Sequence, residues 1–379
     1  MAKSALELSP PTVLRKLFGL ADVEFNGNRP WDIQVHDADV YRRILHKGTL
    51  GFGDAYVDGL WDAAKLDETI RYLLDAGVES KTVGWARVRL VAEVLRHRFF
   101  NLQSYKRAFE VGERHYDIGN DVFEAMLDSS MSYSCAYWAK ADSLEQAQHD
   151  KLDMICRKLE LKPGERVLEI GCGWGGLARH AAANYGVEIV GITVSKEQKK
   201  LAEERCAGLP VEIVLMDYRL LQGQYDKIVS VGMFEHVGPK NYPVYFRKAF
   251  ELLRDDGLFL LHTIGSFKAI THTDAWIDRY IFPNGKIPSL HEITRNLEGR
   301  FVLEDWHNFG RDYDRTLMAW WDNFEQAWPQ LQARYDEKFY RMWKYYLMCC
   351  AGYFRSRQGQ LWQLVLSKRG RQPMYRSIR

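Results

Sequence analysis

VLEIGCGWGG, residues 167–176, decides the fold. An apolar strand, Arg166–Ile170, runs into a glycine turn and then into a helix-spaced stretch, Leu177–Asn184. Gly171, Gly173 and Gly175 have no side chain, so a ligand can lie against the backbone there. Glu169 stands at the carboxyl end of the strand, where open α/β sheets bind their ligands. Working outward, strand and helix alternate. Further strand candidates are Glu188–Thr193, Val211–Leu215, Asp226–Val231 and Leu258–Thr263; helix candidates are Lys196–Cys206 and Tyr242–Leu253. That rhythm predicts βαβ units, a parallel sheet and right-handed crossovers. Phe301–Trp306 and Leu361–Ser367 are placed as a terminal hairpin closing the sheet, and Thr316–Arg357 as inserted helices.

The glycine turn by itself fits two ligands. Gly171, Gly173 and Gly176 satisfy GxGxxG, the dinucleotide signature. That signature wants an acid ~20 residues on, at the end of the second strand, for the ribose. Here the second strand ends at Thr193 without one. The third strand ends in Asp217–Tyr218, where a carboxylate can accept a hydrogen bond from an adenine amine. No arginine cluster reaches for a pyrophosphate. Glu169, the glycines and Asp217 therefore favour S-adenosylmethionine, on the Rossmann-like α/β sheet of class I methyltransferases. The plainer alternative is a glycine turn that only packs strand on helix.

Residues 1–110 read as a smaller helical unit and 111–379 as the catalytic one. Pro10–Leu20 and Leu66–Ala76 have helical spacing, Gly48–Gly59 (GTLGFGDAYVDG) is expected to turn, and Val83–Phe100 reads as a basic amphipathic helix. Net charge is only +2 but uneven. Lys338–Arg379 holds ten Lys/Arg and no acid; Lys81–Arg107 holds seven against the single acid Glu93. Interleaved with Phe99, Phe100, Tyr105 and Trp343, these segments suit an anionic surface, nucleic acid or lipid headgroups, as an alternative to simply solvated faces. The 12 Trp indicate a heavy core or an apolar pocket. The apolar run Leu258–Leu261 is far short of the ~20 residues that span a bilayer, and Glu7, Arg15 and Lys16 interrupt any leader. Six cysteines without a CxxC pair fit a reducing cytoplasm.

The chain closely resembles the cyclopropane-fatty-acid synthase family. The resemblance runs through GTLGFGDAYVDGLW (48–61), FNLQSYKRAF (100–109), HYDIGND (115–121), YSCAYW (133–138), VLEIGCGWGG (167–176), VSVGMFEHVG (229–238), LLHTIG (260–265), EDWHNFG (304–310) and LMAWW (317–321). It implies addition of a methylene across a cis double bond of a phospholipid acyl chain. Methyl transfer from S-adenosylmethionine makes a carbocation, a bound bicarbonate ion removes a proton from the new methyl group, and the ring closes. The bicarbonate ligands carry over to Glu235, His262, Tyr313 and the main chain at Cys135 and Ile264. Cys350, in CCAGYF, matches a cysteine position of interest as a nucleophile, but the chemistry needs no covalent enzyme intermediate and a buried thiol is the preferred reading. For the methyl donor the resemblance carries Tyr133, Ser134, the loop Gly171–Gly176, Thr193, Gln198 and Asp217; Glu197 reads as a solvated helix residue. Phe234, Tyr137 and Trp138 are candidates to stabilise the cation.

The same resemblance implies a homodimer, and a cytoplasmic protein docked peripherally on the anionic inner face of the membrane. Two other outcomes stay open. One is a sister activity that leaves a methyl or methylene branch without ring closure. The other is a catalytically silent lipid-binding protein, which the intact glycines and Glu235 disfavour. Nucleic-acid methylation is disfavoured, because no DPPY-like or catalytic cysteine motif accompanies the sheet.

Overall fold

The computed structural model describes residues 9–78, 119–270 and 273–379. The basic helix expected over Val83–Phe100 and the motif at 100–109 lie outside the described residues, as does most of the motif at 115–121.

Two compact units make up the chain. One comprises Met1–Phe100, Thr271–Pro283 and Leu317–Gly359; the other comprises Asn101–Ile270, Asn284–Thr316 and Gln360–Arg379. The helices expected as insertions over Thr316–Arg357 therefore group with the amino-terminal residues.

In chain order, the helical unit begins with α1 (Thr12–Gly19), β1 (Gln34–Val35), α2 (Asp39–Lys47), α3 (Thr49–Val57), β2 (Trp61–Asp62) and α4 (Leu66–Asp75). The expected glycine turns over 48–59 are instead mostly helix α3. The reason is close packing. A Cβ on Gly51 would lie 2.1 Å from the Arg43 carbonyl oxygen, and one on Gly53 2.5 Å from the Trp276 ring. These glycines admit neighbours, while Gly48 at φ +59° and Gly59 at φ +73°, on either side of the helix, make the turns. The later helix that joins this unit is held to α4 by Arg355, which pairs with Asp67 and Glu68.

The sheet unit opens with α5 (Asn120–Met126) and α6 (Leu144–Lys158). It continues through β3 (Arg166–Ile170), α7 (Gly176–Tyr185), β4 (Glu188–Thr193), α8 (Lys196–Arg205), β5 (Val211–Leu215), β6 (Tyr225–Val231), α9 (Tyr242–Leu252) and β7 (Leu253–Ser266). Then come α10 (Ala275–Tyr280) of the helical unit, α11 (Leu290–Leu297), β8 (Val302–Asn308), α12 (Arg311–Leu331), α13 (Glu337–Arg355) and β9 (Gly359–Ser367). Strand order is β5-β4-β3-β6-β7-β9-β8. β3 to β7 pair in parallel, and β8 pairs antiparallel with β9; the two expected strands do pair at the sheet edge, but α12 and α13 lie between them in the chain, so they form no hairpin.

Both faces of the sheet are covered, and period-2 alternation sorts its side chains. Leu168, Ile228, Phe259 and Leu261 join one core with Phe234, Tyr242 and Phe246. Val167, Val229, Leu258 and Leu260 join the other with Leu152, Ile155 and Cys156 of α6. His262 and Ile264 share the parity of Leu258 and Leu260, so they face the α6 side. Helix α6 escapes the sequence pattern because Lys151 and Lys158 interrupt its apolar face, yet both are fully buried. No helix among the described residues is long and apolar enough to cross a membrane.

Candidate active site

The glycine loop lies between β3 and α7. The Gly171 and Cys172 amides donate to the Ile192 carbonyl at 3.0 and 2.9 Å, which ties the loop to β4. Gly173 sits at φ +52°, and a Cβ there would meet nothing within 4 Å. The loop thus presents a left-handed backbone with an open face. Gly175 caps α7, which Gly176 begins. Glu169 is buried beneath the loop, where it accepts from the Ala178 amide of α7. Its Oε2 has no hydrogen-bond partner. Burial pushes its carboxyl up to about 8, against the opposing pull of Lys151.

At the end of β4, Ser195 caps α8 by accepting from the Gln198 amide. That cap fixes the first turn, and Thr193 Oγ1 then donates to Gln198 Oε1 at 2.8 Å. Glu197 is exposed. Asp217 stands at the end of β5, buried, with its carboxylate engaged by Arg219: the amide at 2.9 Å, Nε at 2.8 Å and Nη2 at 2.8 Å. The carboxylate expected to meet an adenine amine is therefore clasped by an arginine two residues on.

The YSCAYW segment lies beside the glycine loop. Tyr133 packs edge-on to Phe123 at 5.1 Å, and Phe123 contacts Trp174 of the loop at 5.0 Å. Ser134 Oγ accepts from Lys151 Nζ at 2.9 Å, and the Ser132 and Ser134 carbonyls accept from Gln148. The Ala136 amide donates to Thr316 and the Trp138 amide to Asp312, fixing the segment against the start of α12. Sequence reasoning missed Lys151 and Gln148. Polar residues at helical spacing on an otherwise apolar face were the available signal.

A second centre forms around the ends of β6 and β7. Glu235, on a short turn after β6, accepts from the Ile264 amide through Oε1 at 2.6 Å. Its Oε2 is buried without a hydrogen-bond partner. Burial raises its carboxyl to about 7, against backbone hydrogen bonds that favour the charged form. His262 is buried on β7; Gln363 Nε2 lies 3.2 Å from its Nδ1, while its Nε2 has no partner. Burial holds this imidazole neutral, its basicity lowered well below the usual histidine range, and Lys151, Lys158 and His307 push in the same direction. Cys135, Ile264 and Tyr313 share one cluster with Tyr137, Met154, Phe309 and Leu361. Phe309 also meets the His262 ring at 5.8 Å.

The residues expected to hold the anion thus come together. One detail differs: the Ile264 amide, expected to face the anion, is spent on Glu235. The Cys135 thiol is buried and pushed far up by desolvation. Cys350 lies on α13 of the helical unit, its thiol pushed up to about 12 by burial and then by Asp274. Of the three aromatics proposed for the cation, Phe234 stacks on Tyr242 at 4.3 Å inside the core. Arg315 covers the Trp138 ring at 4.5 Å. Tyr137 remains, and Phe309 joins it at 5.4 Å.

Both expected small molecules can be tested against these residues. The open face of Gly173 and the paired Thr193 and Gln198 fit a methyl donor laid across the strand ends. Two of the buried atoms without a partner, Glu235 Oε2 and His262 Nε2, fit an occupant that both donates and accepts hydrogen bonds, as bicarbonate does. Among the described residues, no group of three or more His, Cys, Asp or Glu could hold a metal ion.

The largely parallel sheet and the glycine loop after β3 are the frame of an S-adenosylmethionine-dependent methyltransferase. Residues 103–364 match the mycolic acid cyclopropane synthetase family, and the chain belongs to it. It is 54% identical to cyclopropane-fatty-acyl-phospholipid synthase of Escherichia coli over 94% of this chain and 93% of that one. It is 35% identical to the tuberculostearic acid methyltransferase UfaA1 of Mycobacterium tuberculosis, over 89% of this chain and 83% of that one. Among solved structures, the cyclopropane synthase MmaA2 of M. tuberculosis superposes with TM-score 0.65 at 32% identity, over 69% of this chain and 98% of that one. Mycolic acid cyclopropane synthase CmaA1, complexed with SAH and CTAB, gives TM-score 0.64 at 32% identity over the same shares.

Proposed function

We propose that this enzyme adds a methylene, taken from S-adenosylmethionine, across the cis double bond of unsaturated acyl chains in membrane phospholipids. One observation carries the reading: Glu235 and His262 bury unmatched polar atoms beside an aromatic cluster, in a chain over half identical to a synthase of that name.

An alkene is a weak nucleophile, so its attacking partner must be a strong electrophile. S-adenosylmethionine, when bound, supplies that electrophile as a sulfonium methyl, and bicarbonate supplies a base within an apolar pocket. The double-bond electrons form the new carbon–carbon bond and leave a carbocation on the acyl chain. Loss of a proton from the new methyl group then closes the ring. This chain's residues make that sequence possible in three ways. Phe309 and Tyr137 line the pocket with aromatic surface, which attracts a cation and excludes the water that would trap it. Glu235, with Oε1 fixed by Ile264, offers Oε2 to hold a proton; a carboxyl raised to about 7 gains and loses one near neutrality. His262, Tyr313 and the Cys135 main chain hold the anion in place.

The reading extends to the membrane. The enzyme docks peripherally on the anionic cytoplasmic face through the basic segment Lys81–Arg107, each Lys/Arg near the surface adding ~1 kcal/mol. The second basic segment, Lys338–Arg379, contributes less than its charge suggests, because Lys338, Arg341, Arg355, Lys368, Arg371 and Arg379 are paired with acids. It acts as a homodimer. Flotation with anionic vesicles at rising salt tests the docking: binding lost with salt is expected, and no binding even at low salt would refute it.

Mass spectrometry and proton NMR of phospholipids incubated with the enzyme and S-adenosylmethionine test the chemistry. A gain of one CH₂ with loss of vinyl signals is expected. The identity with UfaA1 favours, as second reading, a methyl or methylene branch. Persistent vinylidene signals would select it.

A further inference from the structure

β9 brings to this centre a polar side chain that the family motifs do not supply. Gln363 is fully buried, and its amide nitrogen lies 3.2 Å from His262 Nδ1. With the amide NH₂ turned to the ring, Nδ1 accepts. A neutral imidazole has one donor and one acceptor, so the single ring proton then sits on Nε2. That Nε2 is buried without a partner, as is the Gln363 Oε1 on the far side of the amide.

We propose that Gln363 is a positioning residue that fixes His262 as its Nε2–H tautomer, so that the ring presents a hydrogen-bond donor, and no base, to the anion of this pocket. The proposal rests on the reading of His262 as part of that pocket. Its surroundings agree. The charged and titratable groups acting on the ring are Lys151 and Lys158 from α6 and His307 from β8, and all three disfavour a second ring proton. A carboxylate in place of Gln363 would act oppositely: it would accept from Nδ1–H and raise ring basicity, as in the carboxylate–histidine pairs of metal sites. An amide donor instead removes Nδ1 from use and leaves His262 unable to compete for the proton that the acyl chain gives up. Proton acceptance falls to the anion and to Glu235 Oε2.

The test uses the full chain with ¹⁵N-labelled histidine, the His262 signals being assigned by their loss in His262→Asn. Expected in the wild type is a neutral ring, protonated at Nε2 and bare at Nδ1. Gln363→Glu keeps the shape and reverses the polarity; it should move the proton to Nδ1 or charge the ring, raise the bicarbonate concentration needed for half-maximal rate, and lower turnover about 10- to 100-fold, the usual cost of losing an outer partner of an anchored histidine. Gln363→Leu, a second and uncharged variant, should lower turnover with a mixture of tautomers. A wild-type ring protonated at Nδ1, or a Gln363→Glu enzyme with unchanged tautomer and turnover, overturns the proposal. If His262→Asn itself keeps wild-type turnover, the anion-pocket reading of His262 fails instead. If His262→Asn is impaired while both Gln363 variants are not, only the role of Gln363 fails.

Discussion

The glycine loop after β3 and the acid–histidine centre near the ends of β6 and β7 belong to one parallel sheet but work by opposite means. The loop offers backbone: Gly173 faces open space, and the one nearby acid, Glu169, is buried and accepts from the Ala178 amide of α7. The second centre offers side chains, and Glu235, His262 and Gln363 each bury a polar atom with nothing to bond. Binding a large, polar methyl donor needs room and amides. Handling a proton beside a carbocation needs a few groups held dry at raised or lowered basicity.

The contrast can be broken, starting where the effect is largest. Glu235→Gln keeps the oxygen that accepts from Ile264 but cannot cycle a proton. Turnover should fall about 10²- to 10⁴-fold, the range for lost acid–base help, while SAH affinity measured by calorimetry stays within about twofold. Equal losses of both would mean that the two centres are not separable. Gly173→Val should do the reverse. A β-branched residue at φ +52° is strained by roughly 1–2 kcal/mol and points its side chain into the open face, so SAH affinity should drop about tenfold or more. Substrate-saturated turnover at high donor concentration should recover most of the wild-type value.

A smaller effect concerns pH. The Glu235 carboxyl is raised to about 7 from an ordinary value near 4.5. Below the ordinary value both folded and unfolded chains hold the proton, and burial of this group is harmless. Between the two values the unfolded chain ionises first, so the native state loses stability as pH rises, and above about 7 the full penalty stands. Glu235→Gln should therefore melt a few degrees above wild type at pH 8 and level with it at pH 4.5. The wild-type rate, conversely, should rise with pH through about 7, a limb absent from the variant. The smallest expected effect is at Cys350. With its thiol pushed up to about 12, Cys350→Ala should keep turnover within about twofold of wild type.

Much of the sheet could be read from the residues because its strands are buried on both faces. Arg166–Ile170, Glu188–Thr193 and Val211–Leu215 fall where their apolar runs place them. Reading failed where a residue type has two uses. Glycine marked turns at 48–59, yet Gly51 and Gly53 serve close packing inside a helix. The stretch Leu144–Lys158 drew no helix expectation, because Lys151 and Lys158 break its apolar face although both are buried in α6. At the site, motifs named Glu235, His262 and Tyr313, but not the contacts that define their state. Arg219 on Asp217, Ile264 on Glu235 and Gln363 on His262 are all matters of tertiary geometry. β7 was read as a short strand and is 14 residues long, because its polar start at Arg254–Asp256 lacks the apolar signal.

The two amines buried on α6 also make the enzyme a reporter of its own opening. An acylating reagent reacts with exposed lysines directly but reaches Lys151 and Lys158 only when α6 lifts from the sheet. Their slow labelling, read peptide by peptide, measures how often the floor beneath Ser134 and His262 comes apart, and any ligand that settles into the site should lengthen that interval.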